Sequence, residues 1–141
     1  TLTVAAHAGR ILLCNDADGK FTLPSINVNS NGATAGDNDF NNLNNIGASF
    51  HFFVETAATD MDIKTDGTDK FKGSILISVD DGTIKGFVPG ASNDVITMNG
   101  STKGGIAGSI VSFTAIDTAT YMVHNSLLIG SGTIVTPYAD A

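Results

Sequence analysis

The chain has 141 residues, of which 42% are apolar and only 15% are charged, and its formal net charge is −7. Its length is most simply that of one domain spanning residues 1–141. The acidic balance and the dispersed cations disfavour nucleic acid and anionic membranes as partners, because both bind basic patches. One cysteine, Cys14, excludes an internal disulfide and is predicted to be a small buried hydrophobe.

The residue types favour strands over helices. Of 14 acidic residues only Glu55 is a glutamate, and aspartate favours turns and caps over helix interiors. Glycines recur along nearly the whole chain, and the longest stretches without a glycine, residues 48–66 and 109–129, are rich in β-branched and aromatic residues. No window carries an apolar stripe at helical spacing. We therefore expect an all-β domain, an antiparallel β-sandwich or barrel, with no long helix; a jelly-roll-like arrangement is one such form.

The N-terminal quarter is predicted to form three short strands. Residues 2–6 are a first strand, and residues 10–15 a second after the break at Gly9. The turn at 16–20 is followed by a third strand at 21–23. Two extended runs joined by a glycine-containing turn of this length predict a hairpin between residues 10–15 and 21–23.

Residues 29–45 form a long Asn-rich segment. A loop of this length inside a compact domain is either functional or disordered. Phe40, Leu43 and Ile46 follow one another at a spacing of three, which indicates a single helical turn attached to the core. Phe40 and Leu43 are therefore candidate interface residues.

The most apolar strand is predicted at residues 49–55. Phe50, Phe52 and Val54 recur at every second position, so they point to one face, which we expect to lie in the core. His51, Phe53 and Glu55 lie on the opposite face. Because Phe53 stands there among polar neighbours, we predict that this face meets another sheet or another subunit, and His51 and Phe53 are interface candidates.

The rest of the chain is predicted to form short strands separated by turns. The clearest signal is a hairpin in which residues 74–79 and 84–88 flank the turn Asp80-Asp81-Gly82-Thr83. Further strands are predicted at residues 61–65, 94–99, 110–116, 120–125 and 127–135. Beyond them, Tyr138 in the C-terminal tail is the last interface candidate.

No pattern of residues identifies an active site. His7, His51 and His124 lack metal-ligand spacing, and no nucleophile elbow, metalloprotease or phosphate-loop motif is present. The acidic cluster at 16–19 is interpreted as a turn, and the cluster at 60–62 as the solvent-exposed edge of a hairpin. A weak Ca²⁺ site is the alternative. The sequence therefore predicts no catalytic residue, no metal and no cofactor.

Several short segments follow one another in a recognisable order along the chain. They are Phe21-Thr22-Leu23-Pro24, Gly47-Ala48-Ser49-Phe50-His51-Phe52, Ile63-Lys64-Thr65, Gly73-Ser74, and residues 94–105 and 130–138. Together they resemble the auxiliary capsid proteins (decoration or cement proteins) of tailed bacteriophages. That resemblance implies a non-enzymatic virion protein on the capsid exterior, synthesised in the host cytoplasm. It also implies two partners, the major capsid protein and further copies of the chain in a homotrimer.

Two other functions stay open at the level of sequence. Similar β-domains occur in phage fibres, and residues 29–45 would then recognise a receptor or a glycan. The absence of tryptophan and the presence of only two tyrosines disfavour sugar binding, because sugar faces stack on large rings. A hydrolase of surface polysaccharide is compatible with the dispersed aspartates, but no pair of them is selected.

Overall fold

The computed structural model describes residues 1–27 and 45–141. These residues form one short helix and eleven strands, and the all-β expectation is confirmed. The elements are α1 (Val4–His7), β1 (Ile11–Cys14), β2 (Lys20–Thr22), β3 (Ser49–Val54), β4 (Met61–Lys64), β5 (Lys70–Gly73), β6 (Ile75–Ser78), β7 (Ile84–Phe87), β8 (Val95–Met98), β9 (Ile110–Asp117), β10 (Thr120–Ile129) and β11 (Tyr138–Ala139).

The strands form two sheets of a β-sandwich. The larger sheet has seven strands in the order β1-β3-β9-β10-β6-β7, and β5 also pairs with β10. The smaller sheet has the order β11-β8-β4-β2. Both sheets are mixed, since β1–β3, β5–β10, β6–β10 and β2–β4 are parallel pairs and the other pairings are antiparallel.

The core lies between the two sheets, and β3 is at its centre. Phe50, Phe52 and Val54 are all buried there, as their alternation predicts. The Phe52 ring contacts Phe113 of β9 edge-on, with 5.7 Å between centroids. It also contacts Phe21 of β2 in the smaller sheet, with 5.4 Å between centroids, so β3 joins the two layers.

The first predicted strand, residues 2–6, is wrong. Residues Val4–His7 form α1, and the Thr3 hydroxyl caps its N-terminus by accepting a hydrogen bond from the amide of Ala6. Threonine is a favoured N-cap residue, and the two alanines that follow are strong helix formers. Before the helix, Thr3 has an extended backbone, and Leu2 is buried and donates its amide hydrogen to the carbonyl of Thr22.

The predicted hairpin between residues 10–15 and 21–23 is also wrong. Both runs contain strands, but β1 pairs with β3 in the larger sheet and β2 pairs with β4 in the smaller one. The turn between them therefore carries the chain from one layer to the other. Parallel partners from distant parts of the chain replace the local antiparallel pairing.

Later strands agree better with the sequence. The hairpin at residues 74–79 and 84–88 is confirmed as the antiparallel pair β6–β7. The strands predicted at 120–125 and 127–135 instead form the single strand β10, which ends at Ile129. Asn125 has a positive φ of 44°, and the pairing with β9 shifts register between His124 and Leu127. The strand β10 therefore continues through a local irregularity, which the sequence prediction took for the end of one strand and the start of the next.

Residues 29–44 of the predicted Asn-rich segment, with Phe40 and Leu43, lie outside the described residues. The two flanks of this segment are joined to each other. The amide of Asn45 donates to the carbonyl of Asn27, and the amide of Asn27 donates to the Asn45 side chain.

Candidate functional site

The outer face of the seven-stranded sheet, which points away from the core, carries most of the exposed apolar side chains. The described residues include twelve large exposed hydrophobics, and strand alternation and register place all but Ile46, Val88 and Val135 on this face. Apolar side chains scattered singly over a surface are ordinary, whereas a concentration on one face indicates a binding surface. The nine on the outer face are Ile11, Leu13, Phe53, Leu76, Ile84, Ile110, Ile116, Met122 and Leu127.

Five of these side chains form a line across five strands. Leu13 of β1 lies opposite Phe53 of β3, and Phe53 lies opposite Ile110 of β9. Ile110 lies opposite Leu127 of β10, which in turn lies opposite Leu76 of β6. We call these five residues the apolar row. Each is between 37% and 58% exposed, and the row spans about 19 Å at the usual strand spacing of ~4.8 Å.

Beside the apolar row, the polar side chains of the outer face bond to one another. The Nδ1 atom of His51 lies 2.9 Å from the hydroxyl of Ser112. The Nε2 atom of His124 lies 2.8 Å from the hydroxyl of Thr114, which lies 2.7 Å from that of Ser49. The two histidine rings meet edge-on, with 6.3 Å between centroids. These groups therefore have partners within the sheet.

A shallow depression lies between the apolar row and His51. Its volume is about 230 Å³, and its lining includes Ile11, His51, Phe53, Ile110 and Asn125. The lining has no aspartate, glutamate, lysine or arginine. The depression therefore suits an apolar side chain of another protein better than a charged ligand.

The position of His124 lowers its pKa. Partial burial disfavours the imidazolium, and the nearby His51 ring adds to this effect. The unfolded chain therefore binds a proton more readily than the folded chain as the pH falls through about 6.5. Stability attributable to His124 is complete above that pH and is lost below it.

We expect acidification from pH 7 to pH 5 to lower the midpoint of thermal unfolding more in the wild type than in His124→Gln. Glutamine keeps a polar group within reach of Thr114 but cannot take up the proton. Circular dichroism melts at pH 7, 6 and 5 measure the difference between the two slopes. Equal slopes would show that His124 does not contribute to the pH dependence.

The five sequence-predicted interface residues lie in different places. His51 and Phe53 are on the outer face, whereas Phe40 and Leu43 are outside the described residues. Tyr138 lies in the core, 6% exposed, because β11 joins the smaller sheet beside β8. Burial raises the pKa of its hydroxyl. Tyr138 is therefore a core residue of the single chain, and the structure does not bring it to the face that carries His51 and Phe53.

The acidic clusters form a structural contact. Lys20 lies 2.9 Å from a carboxylate oxygen of Asp60 and 3.0 Å from one of Asp62. Thr59 donates to the Asp18 carboxylate and so joins the turn at residues 16–20 to this rim. Within residues 1–27 and 45–141, no group of three or more His, Cys, Asp or Glu side chains is arranged to hold a metal ion.

Cys14 is fully buried, as predicted, and burial raises the pKa of its thiol to about 11. A thiol in that state is a poor nucleophile. In the part of the chain that the structure describes, no helix has the length and hydrophobicity to cross a bilayer.

No protein-family model, curated protein or solved structure matches this chain. The candidate site therefore depends on its own geometry. The sequence predicted Phe53 and His51 as interface residues but not the other four members of the apolar row, which are Leu13, Ile110, Leu127 and Leu76. Each of the four is an apolar residue at an outward position of its strand, and only the register of the strands shows that they form a row.

Proposed function

We propose that this protein is a structural virion protein that binds the outer surface of a phage head and stabilises the shell. The observation that carries the proposal is the apolar row, which a well-packed β-sandwich leaves exposed on one face. A concentrated apolar surface of this kind fits a protein whose role is contact with other proteins. The resemblance of several sequence segments to auxiliary capsid proteins supports the same class.

The proposal has two partners, the major capsid protein and other copies of this chain. A closed shell repeats its surface by symmetry, so a homotrimer at three-fold positions suits a protein that coats it. A basic patch on the shell surface would complement the net charge of −7 and would favour association through long-range attraction. In this proposal the protein is made in the host cytoplasm and resides on the capsid exterior.

The alternative function, recognition of a glycan or receptor, depends on residues 29–45. Only Asn45 of that segment lies within the described residues, where it joins the two flanks. No described contact favours this alternative, and it stays a prediction.

Heads prepared without this protein provide the test. We expect the purified protein to cosediment with such heads, to saturate at a fixed number of copies per head, and to raise the temperature at which the heads release their contents. Heads already saturated with unlabelled protein are the matched control, and they should take up no labelled protein. Binding should weaken as salt rises, because attraction to a basic patch is screened.

Lack of saturable binding to heads would overturn the proposed function. Specific binding on a glycan array, lost when residues 29–44 are replaced by a short glycine–serine linker, would support the fibre-type alternative in its place.

A further inference from the structure

We propose that the outer face of the seven-stranded sheet binds a divalent transition-metal ion such as Zn²⁺. His51 and His124 supply two imidazole nitrogens, and the side chain of Asn125 supplies an oxygen. Such a site goes beyond the proposed function and is independent of binding to heads. Three observations support it, which are the placement of the two histidines, their hydrogen bonds and the irregularity of β10.

The two histidines belong to one cross-strand row. His51 of β3 and His124 of β10 each lie opposite Ser112 of β9, the strand between them. Both side chains are half-buried on the outer face, and their rings meet edge-on with 6.3 Å between centroids. Two imidazoles on one tetrahedral Zn²⁺, with Zn–N distances of about 2.0–2.1 Å, have their centroids roughly 5 Å apart. A small rotation of either side chain therefore brings both rings onto one ion.

The hydrogen bonds leave one nitrogen of each ring available to a metal. The Nδ1 atom of His51 faces the hydroxyl of Ser112 at 2.9 Å, and the Nε2 atom of His124 faces that of Thr114 at 2.8 Å. Among the described residues, the other nitrogen of each ring has no hydrogen-bond partner. Metal-binding histidines share this division, because a hydrogen bond to the nitrogen that does not bind the ion fixes the orientation of the ring. Ser112 and Thr114 therefore position the two rings.

The irregularity of β10 places an oxygen donor beside His51. Asn125 directly follows His124, so regular alternation would turn its side chain towards the core. It is instead exposed and lines the same depression as His51. Its φ of 44° is the one positive value at a non-glycine residue in the part of the chain that the structure describes. Because residues in such conformations cluster at ligand sites, we assign the amide oxygen of Asn125 as the third ligand, with water as the fourth.

The types of ligand determine which ions fit. Imidazole nitrogen suits Zn²⁺, Ni²⁺ and Cu²⁺, whereas Ca²⁺ and Mg²⁺ take oxygen ligands and mostly carboxylates. The depression beside His51 has no aspartate or glutamate in its lining, and no lysine or arginine that would repel a cation. Lys72 of β5 lies opposite Met122, one outward position from His124 along β10. Asp117 interacts favourably with Lys72 and offsets its charge.

Calorimetric titration of the untagged, chelator-treated chain with Zn²⁺ tests the proposal. We expect one ion to bind per chain, and Ca²⁺ and Mg²⁺ at the same concentrations to give no signal. His51→Gln and His124→Gln should each weaken Zn²⁺ binding by about tenfold or more, because each removes one of the two imidazoles. His7→Gln is the matched control, since His7 lies in α1, where its Nδ1 accepts from the amide of Thr3. Its affinity should equal that of the wild type.

Two substitutions at Asn125 test the oxygen ligand. Asn125→Gly removes the amide but tolerates the positive φ, so we expect a folded protein that binds Zn²⁺ more weakly. Asn125→Asp replaces the amide oxygen with a carboxylate, which is an established Zn²⁺ ligand, and should tighten binding. An affinity that is unchanged in both variants would overturn the assignment of Asn125.

The imidazole signals in NMR spectra of the wild type give a measurement that does not depend on the folding of a variant. One equivalent of Zn²⁺ should shift the signals of His51 and His124 together and leave those of His7 unchanged. A wild type that binds no Zn²⁺ at tens of micromolar would overturn the proposal. So would equal affinities in the wild type and both folded histidine variants, or equal shifts at all three histidines, which would indicate adventitious binding to separate rings.

Discussion

Replacing Phe52 with alanine is expected to lower the free energy of unfolding by about 3–5 kcal/mol. The ring is 2% exposed and lies between Phe113 in its own sheet and Phe21 in the opposite sheet. Its loss therefore removes apolar burial and leaves a cavity at the contact between the two layers. Urea unfolding followed by circular dichroism measures the change, and we expect a lower midpoint with an unchanged slope.

Phe53→Ala is the matched control for that experiment. It deletes the same side chain one position along the same strand, but from the outer face, where Phe53 is 37% exposed. We expect it to cost under about 1 kcal/mol. Equal losses for the two variants would show that Phe52 is not the core residue that its burial indicates.

The prediction for β3 succeeded because period-two alternation is a local signal. Phe50 and Phe52 could be assigned to the core without knowledge of the neighbouring strands. The β6–β7 hairpin was predictable for a related reason. Its two strands adjoin the same turn, so their pairing depends on residues within a short stretch of sequence.

The parallel pairings could not be predicted, because their partners are distant in sequence. Ile11 pairs with His51, and Lys20 pairs with Asp62, across some forty residues in each case. Nothing in the run from residue 10 to residue 23 distinguishes a hairpin from two strands that belong to separate sheets. The strand β5 was missed for the same reason, since its partner β10 begins at Thr120.

The apolar row is the clearest case of a feature that sequence alone does not reveal. Its residues come from five strands that span most of the chain, and all except Phe53 are ordinary apolar residues in their own segments. A shift of one residue in any pairing would turn that strand's side chain inward. The register of the strands is therefore what brings Phe53 and four ordinary positions together in one surface.

Gly73→Ala is expected to lower the free energy of unfolding by about 2–5 kcal/mol, from backbone strain and steric conflict together. Gly73 ends β5 with a φ of +119°, which disfavours an L side chain, and it pairs with Val123 of β10. An added Cβ would collide with the carbonyl oxygen of Val123. Because that oxygen belongs to the backbone of a central strand, the sheet would have to shift to admit the methyl group.

Gly82→Ala separates the two causes. Gly82 also has a positive φ, of +84°, but its Cβ would meet nothing within 4 Å in the turn between β6 and β7. We expect only the conformational cost there, about 1–2 kcal/mol. The difference between the two variants, measured by urea unfolding, reports the close approach of β5 to β10. Equal costs would mean that β10 yields to the methyl group without penalty, and that the parallel contact between the two strands does not hold Gly73 in place.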